Sequence, residues 1–362
     1  LSERLAQDEA DAQAQRDLSI SYNKLGDLML QRGELGQAEA FYRKALALSE
    51  RLAQDEADAQ AQRDLGISYE RLGDLMRQRG ELGQAEAFYR KALALSERLA
   101  QDEADAQAQR DLGISYERLG DLMRQRGELG QAEAFYRKAL ALRERLAQDE
   151  ADAQAQRDLS ISYNKLGDLM LQRGELGQAE AFYRKALALR ERLAQDEADA
   201  QAQRDLSISY NKLGDLMLQR GELGQAEAFY RKALALSERL AQDEADAQAQ
   251  RDLGISYERL GDLMLQRGEL GQAEAFYRKD LALSERLAQD EADAQAQRDL
   301  AVSLERMIRQ SIMTKKAEEA GRFLSRMRSV VSRLPGFMRG PFEESIVDFS
   351  KEIASLEHGD GG

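Results

Sequence analysis

Asp17-Leu18-Ser19-Ile20-Ser21-Tyr22-Asn23-Lys24-Leu25-Gly26-Asp27-Leu28-Met29-Leu30-Gln31-Arg32-Gly33-Glu34-Leu35-Gly36-Gln37-Ala38-Glu39-Ala40-Phe41-Tyr42-Arg43-Lys44-Ala45-Leu46-Ala47-Leu48 is a passage that this chain writes six times with few changes. Its central glycine returns every 47 residues, as Gly26, Gly73, Gly120, Gly167, Gly214 and Gly261. A fixed period of this size marks stacked repeats, each too small to bury its own apolar side alone. Within the passage Leu18, Tyr22, Leu25 and Met29 are spaced four, three and four apart, which places them on one face of an α-helix. A second helical face follows in Ala38, Phe41, Tyr42, Ala45, Leu46 and Leu52. Gly33 and Gly36 are expected to bracket the turn between the two helices. Gly26 lies inside a helix, where glycine costs about 1 kcal/mol relative to alanine. Six repetitions of that cost point to a close approach that a β-carbon would block.

Tyr22-x-x-Leu25-Gly26-x-x-Met29 followed by Ala38-x-x-x-Tyr42-x-x-Ala45 resembles the tetratricopeptide repeat, in which small and large residues interlock between paired helices. The resemblance recurs in all six copies and extends over most of residues 17–300. Met29 stands where the family favours tyrosine, and Tyr22 where tryptophan is common. Glu50 replaces the usual helix-ending proline, so the second helix is expected to run on through Ser49-Glu50-Arg51-Leu52-Ala53. The lengthened unit is similar to the repeats of kinesin light chains and of many bacterial arrays. The resemblance implies an all-α fold, a right-handed α-α superhelix of six 47-residue hairpins with a degenerate seventh hairpin and a C-terminal capping helix. Helices of about five to six turns are expected.

The chain of 362 residues carries a net charge of −14, with 33% charged residues and no cysteine. This balance suits a helical surface and disfavours nucleic acid as a partner. Disulfides, thiolate zinc sites and cysteine nucleophiles are excluded. No apolar run reaches membrane-span length. Residues 1–16 read as the end of a preceding repeat and the inter-repeat turn, which implies a chain cut from a longer array, with the cytoplasm its expected compartment. Six repeats over 17–300 follow, then a degenerate hairpin over 301–334, a capping helix over 335–358 and a tail of 359–362.

Asp8 or Asp11 is expected to cap the helix that follows. Asp8-Glu9-Ala10-Asp11 also spells a helicase box, but it has neither the apolar strand nor the phosphate loop that helicase chemistry needs. Gly33-Glu34-Leu35-Gly36 resembles the G-x-x-G clamp of some RNA-binding domains and reads as a turn. His358 is the only histidine, and serines without a histidine partner have no route to nucleophilic activation. Glu39 and Arg43 form a helix-supporting pair at i,i+4. We therefore expect no enzyme, no cofactor and no metal.

In tetratricopeptide arrays the first helix of each hairpin lines the concave face, and ligands usually bind there. Carried over, this places Ile20, Asn23, Lys24, Asp27, Leu30 and Gln31 and their copies in a groove. The candidate binding residues are Asn23, Lys24, Asp27, Glu70, Arg71, Asp74, Arg77, Glu117, Arg118, Asp121, Arg124, Asn164, Lys165, Asp168, Asn211, Lys212 and Asp215. Variation among copies falls at five positions, those of Ser19, Asn23, Lys24, Leu30 and Ser49, of which three lie in this set. It reads either as drift at exposed sites or as tuning of the groove. Lys24 and Arg71 match the cations that clamp a peptide carboxylate in some family members. Asp27 stands where such a clamp needs asparagine and would repel the ligand. A segment of mixed charge with basic residues fits better.

Asp280 interrupts the pattern, replacing the alanine of the sixth copy. Either this position is exposed at the end of the array, or the regular stack changes there. Beyond Leu300, Ile308 replaces the mid-helix glycine and Lys315 the turn glycine. Leu334-Pro335-Gly336 ends this hairpin, and a last helix is expected from near Pro341, with Glu343 and Glu344 in its first turn and a stripe of Ile346, Phe349, Ile353 and Leu356. Between Leu304 and Arg339 there are nine Lys or Arg and three Asp or Glu. Arg322, Arg326, Arg328 and Arg333 accompany an apolar side that either caps the stack or meets an anionic membrane or an acidic partner. The expected function is a non-catalytic scaffold that binds a protein or peptide in the groove. Its rivals are a sensor array of a larger signalling or defence protein and a self-assembling filament.

Overall fold

The computed structural model describes residues 12–54, 58–101, 105–148, 152–195, 199–243, 246–291 and 293–359. All regular structure among them is helical. Two compact units divide the chain at residues 189 and 190. The first contains α1 (Ala12–Gln31), α2 (Leu35–Leu52), α3 (Ala59–Gln78), α4 (Leu82–Leu99), α5 (Ala106–Gln125), α6 (Leu129–Leu146), α7 (Ala153–Gln172) and most of α8 (Leu176–Leu193). The second contains α9 (Ala200–Gln219), α10 (Leu223–Leu240), α11 (Ala247–Gln266), α12 (Leu270–Leu287), α13 (Ala294–Met313), α14 (Ala317–Arg333) and α15 (Gly336–Gly359). Within each unit consecutive helices pair as hairpins, and each hairpin leans on the next.

Each first helix starts five residues ahead of the quoted passage, because the last aspartate of the acidic turn caps it. Asp58 accepts a hydrogen bond from the Ala61 amide at 2.9 Å, and Asp105 and Asp152 do the same one and two repeats on. Asp8 and Asp11, with the rest of the first acidic box, lie outside the described residues. At the other end Gly33 takes φ +75°. Its amide donates to the Leu30 carbonyl at 3.0 Å and that of Glu34 to Met29 at 2.9 Å, closing the helix in a Schellman motif. Gly36, expected to bracket the turn, instead lies inside the first turn of α2. The Glu50 substitution has the expected consequence, since α2 continues to Leu52.

The mid-helix glycine faces an aromatic ring. A β-carbon on Gly26 would lie 2.4 Å from Cε1 of Tyr42, and Gly120 has the same relation to Tyr136 at 2.5 Å. These tyrosines are among the largest fully buried side chains. In the seventh hairpin both partners change: Ile308 replaces the glycine and Leu324 the tyrosine, and both are buried. Volume is thereby exchanged across the contact and close packing is kept. Leu25 and Leu28 of α1 are each 40% exposed, whereas Leu72 and Leu75, which have a hairpin ahead of them, are fully buried.

Hairpins are tied together by recurring polar contacts. Buried Gln62 donates to the Ala53 carbonyl at 2.7 Å, satisfying the end of the preceding helix. The Tyr69 hydroxyl donates to Glu50 at 3.0 Å, and Arg79 pairs with Glu39 at 2.6 Å. Glu39 also accepts from Arg43, the expected i,i+4 contact, at 2.8 Å.

Asp280 is buried, with 6% exposure, so it does not sit at an exposed end position. The last helix begins at Gly336, not near Pro341, so Pro341 falls inside it and Glu343 and Glu344 lie beyond its first turn. Leu334, ahead of Pro335, is extended (φ −63°, ψ 148°), the conformation a following proline favours. Helix α15 packs on both α13 and α14. It buries Phe342, Phe349 and Ile353, and the Arg309 guanidinium lies 5.0 Å from the Phe349 ring centre. The basic residues of α14 face the chain's own acceptors: Arg326 pairs with Glu285, Arg333 with Glu291, and Arg328 donates to Ser350 at 2.6 Å.

Candidate functional site

Within each unit the first helices of successive hairpins stand side by side, and the candidate binding residues lie along them. The structure brings many of these residues into contact with one another. Asp27 accepts from the Tyr42 hydroxyl at 2.7 Å and from Arg71 of the next hairpin at 2.7 Å. Asp74 likewise joins Tyr89 at 2.6 Å and Arg118 at 2.6 Å, and Asp121 joins Tyr136 at 2.6 Å and Lys165 at 2.7 Å. In the second unit Asp215 takes the Tyr230 hydroxyl at 2.7 Å and Arg259. Burial first, and the adjacent carboxylate next, hold Tyr42 far above the ordinary phenol range, so each hydroxyl stays a neutral donor. Arg71, Arg118 and Lys165 are therefore committed to ties between hairpins. A carboxylate arriving from outside would compete with an aspartate already in place.

The remaining candidates divide between wall and rim. Glu70 accepts from Ser115 at 3.2 Å and lies 3.2 Å from the Arg118 Nε, and Glu117 accepts from Ser162 at 2.9 Å. Burial pushes both carboxyls above the usual range. Asn164 is buried, while Asn23 and Asn211 are half-buried and each keeps an oxygen without a donor among the described residues. Lys212 lines a cavity in the second unit, and Asp168 accepts from Tyr183 at 2.7 Å. Lys24 and Arg124 are exposed, and Arg77 stands beside the Tyr89 hydroxyl.

Between successive first helices runs a notch floored by the last turns of the intervening second helix. Arg16, Ser19, Ile20, Asn23, Ser49 and Ile67 outline the first, a cavity of about 50 Å³. The next, with Gly66 in place of Ser19, opens to about 190 Å³. In the third the Arg143 side chain enters beside Gly113, where a β-carbon would lie 3.3 Å from its Nε. Arg143 is buried and pairs with Asp158 at 2.8 Å, and Arg110 turns to Asp152 at 3.0 Å. In the second unit Ser207 and Ser237 border a cavity of about 240 Å³, and Gly254, Asp280 and Ser284 one of about 380 Å³.

The variable positions at Ser19 and Ser49, outside the groove set read from the sequence, thus face each other across the notch. Ser19 and Ser49 lie 3.1 Å apart through their hydroxyls. Asn23 lines the same notch, and Lys212, the copy of Lys24, lines one in the second unit. The relation of Ser19 to Ser49 was present in the sequence only as the coincidence that both vary, and the packing supplies the contact.

Ile20 and its copies form the apolar part of this face. Exposure runs from 37% at Ile114 to 46% at Ile20, and each of the six copies is exposed. Ile67 and Ile114 line one cavity, and Ile208 and Ile255 another. Among the described residues no group of His, Cys, Asp or Glu could hold a metal ion, and no helix is long and apolar enough to cross a membrane.

Stacked helical hairpins with interlocking Gly and Tyr define a helical repeat protein. Two sequence profiles described as tetratricopeptide repeat match, one at residues 17–75 and 205–263 and the other at 66–103, 113–150 and 160–197. Together they span more than half of the chain, which belongs to the tetratricopeptide repeat family. Among solved structures, BtubC (BKLC) from P. vanneervenii is 23% identical, with a TM-score of 0.57 over 70% of this chain and 92% of that one. The apo form of RapI is 13% identical with a TM-score of 0.56, covering 94% of this chain and 81% of its own. A signal transduction ATPase with numerous domains and a tetratricopeptide repeat sensor, from Pyrococcus horikoshii, is 15% identical with a TM-score of 0.55. It matches over 99% of this chain and 48% of that one. These likenesses concern the fold. No match was found among curated proteins.

Proposed function

We propose that this chain is a non-catalytic scaffold whose first-helix face binds an extended or helical segment of another protein. The observation that carries this reading is the set of exposed isoleucines, one per full repeat, of which Ile20, Ile67, Ile114, Ile208 and Ile255 border polar notches. Isolated apolar residues on a surface need no explanation, but a row in fixed register with cavities beside it offers a partner both buried area and specific polar contacts. The tetratricopeptide family generally mediates protein–protein interaction, which supports the same reading. Because Arg71, Arg118 and Lys165 are already paired with Asp27, Asp74 and Asp121, a ligand ending in a free carboxylate would have to displace an aspartate, which favours a ligand without one.

Peptides selected from a random displayed library against the whole chain supply the test. Ile67→Glu with Ile114→Glu is expected to weaken the selected peptides at least tenfold, about 1.4 kcal/mol, while helicity and melting stay as in the parent. Binders indifferent to both substitutions would place the binding face elsewhere.

A further inference from the structure

We propose that the notch between α11, α12 and α13 is a pocket for the guanidinium group of an arginine from a bound polypeptide. The chain itself shows the ligand chemistry of this location. Three repeats earlier, the notch between α5, α6 and α7 holds the chain's own Arg143, whose Nη1 lies 2.8 Å from Asp158 and whose Nε lies 3.8 Å from Glu117. At the corresponding position of α8, Arg190 is also buried, donating to the Asp205 carbonyl at 2.8 Å and to Ser209 at 3.1 Å.

The α11–α13 notch keeps the acceptors and lacks the arginine. Glu258 and Asp299 stand where Glu117 and Asp158 stand, Gly254 where Gly113 stands, and Ser284 replaces Arg143. Asp280 then adds a further carboxylate where the other full copies have alanine. Relative to the α5–α7 notch, these two changes make the site more negative by two charges. The cavity is about 380 Å³. Asp280 is 94% buried, its Oδ2 accepts from Ser303 at 2.7 Å, and its Oδ1 accepts from no described residue. That Oδ1 lies 2.9 Å from where a β-carbon on Gly254 would be, so the glycine makes room for it.

Two of the three neighbouring cations are engaged, and the third, Arg298, is exposed at the rim. Arg251 pairs with Asp299 at 3.2 Å, and Arg306 pairs with Glu258. Burial makes the Asp280 carboxylate costly to keep charged, and a planar guanidinium relieves that cost with directed N–H donors. The inference rests on the reading of the first-helix face as a polypeptide site, but its test addresses the notch alone.

Calorimetric titration of the whole chain at about pH 7.5 with N-acetyl-arginine N-methylamide, its lysine and citrulline counterparts and agmatine decides the matter. The arginine amide is expected to bind at least tenfold more tightly than the lysine and citrulline amides. Asp280→Ala restores the residue found in the other five full copies, so it should fold, and it should weaken the arginine amide at least tenfold. Ser284→Arg should supply the group from within and block the probe. Burial pushes the Asp280 carboxyl up to about 6, with Glu258 and Arg251 of α11, Ser284 of α12 and Arg298, Asp299, Ser303 and Arg306 of α13 around it. Affinity should therefore rise as pH is raised through that value, and Asp280→Ala should flatten the rise. Equal binding of arginine and citrulline amides, or an unchanged affinity in Asp280→Ala, would overturn the proposal. Agmatine binding tenfold more tightly than the capped arginine would overturn the polypeptide source. A failure here with the isoleucine substitutions still active would leave the binding face standing and remove only this pocket.

Discussion

Replacing Asp280 by alanine should stabilise the C-terminal hairpins at neutral pH and not at acidic pH. In the folded chain the carboxyl is raised from its ordinary 3.8 to about 6, chiefly by burial. Below about pH 4 it is protonated whether folded or unfolded, and the two states do not differ. Between that pH and about 6 the unfolded chain gives up its proton first, so the folded state binds more protons and loses stability as pH rises. Above the folded value the whole gap applies, about 3 kcal/mol. Alanine also forgoes the hydrogen bond from Ser303, a loss of about 1 kcal/mol that varies little with pH. The variant should thus match or fall slightly below the parent at about pH 4.5 and exceed it by roughly 2 kcal/mol at about pH 7.5. An array of repeats need not unfold in one step, so amide hydrogen exchange in α12 and α13 is the appropriate readout. A difference between variant and parent that is the same at both pH values would refute the reasoning, because it would mean that Asp280 is not desolvated.

Gly120→Ala should loosen the α5–α6 hairpin. The new methyl meets the Tyr136 ring, and overpacking of roughly 1–3 kcal/mol exceeds the helix propensity that alanine adds, about 1 kcal/mol. Faster exchange at α5 and α6 amides would show it, and unchanged exchange would mean that the ring yields freely. Lys315→Gly should stabilise by about 1 kcal/mol, since Lys315 occupies φ +56° at the turn where each full repeat has glycine. A lower melting temperature in that variant would contradict the strain. Asp105→Ala should cost about 1 kcal/mol through loss of the cap on α5, read as fraying of its first turn. Asp121→Asn should leave Tyr136 with a neutral acceptor and Lys165 without its carboxylate. The Tyr136 phenol should then titrate at lower pH, and an unchanged ultraviolet titration would show that Asp121 does not act on it.

Period, helix spacing and the placement of glycine are local properties, and they sufficed to determine hairpins and their number, while the family was legible as a resemblance of the repeated motif. Gly26 and Tyr42 could be paired as small against large because the repetition made a single sequence act as six. Turn geometry was legible at Gly33, whose left-handed conformation completes a hydrogen-bonded helix end, but not at Gly36, which an α-helix accepts in its first turn. The start of α15 was displaced for a similar reason: proline tolerates the beginning of a helix but does not mark it, and Gly336 precedes Pro341 without breaking the turn.

What lay beyond the sequence were relations between hairpins. Asp27, Tyr42 and Arg71 are 15 and 44 residues apart, and only stacking brings the three together. Ser19 and Ser49 varied without apparent connection until the notch placed one opposite the other. Asp280 could be exposed or buried on local pattern alone, since periodicity assigns a residue to a face and says nothing of what covers that face. The covering element, α13 with Ser303 and Arg306, comes from the following hairpin, and its contacts decide both the burial of the carboxylate and the space left beside it. Local spacing determines the unit because hydrogen bonds and rotamers act over a few residues. The site belongs to tertiary structure because its walls come from helices that meet only when the units are stacked.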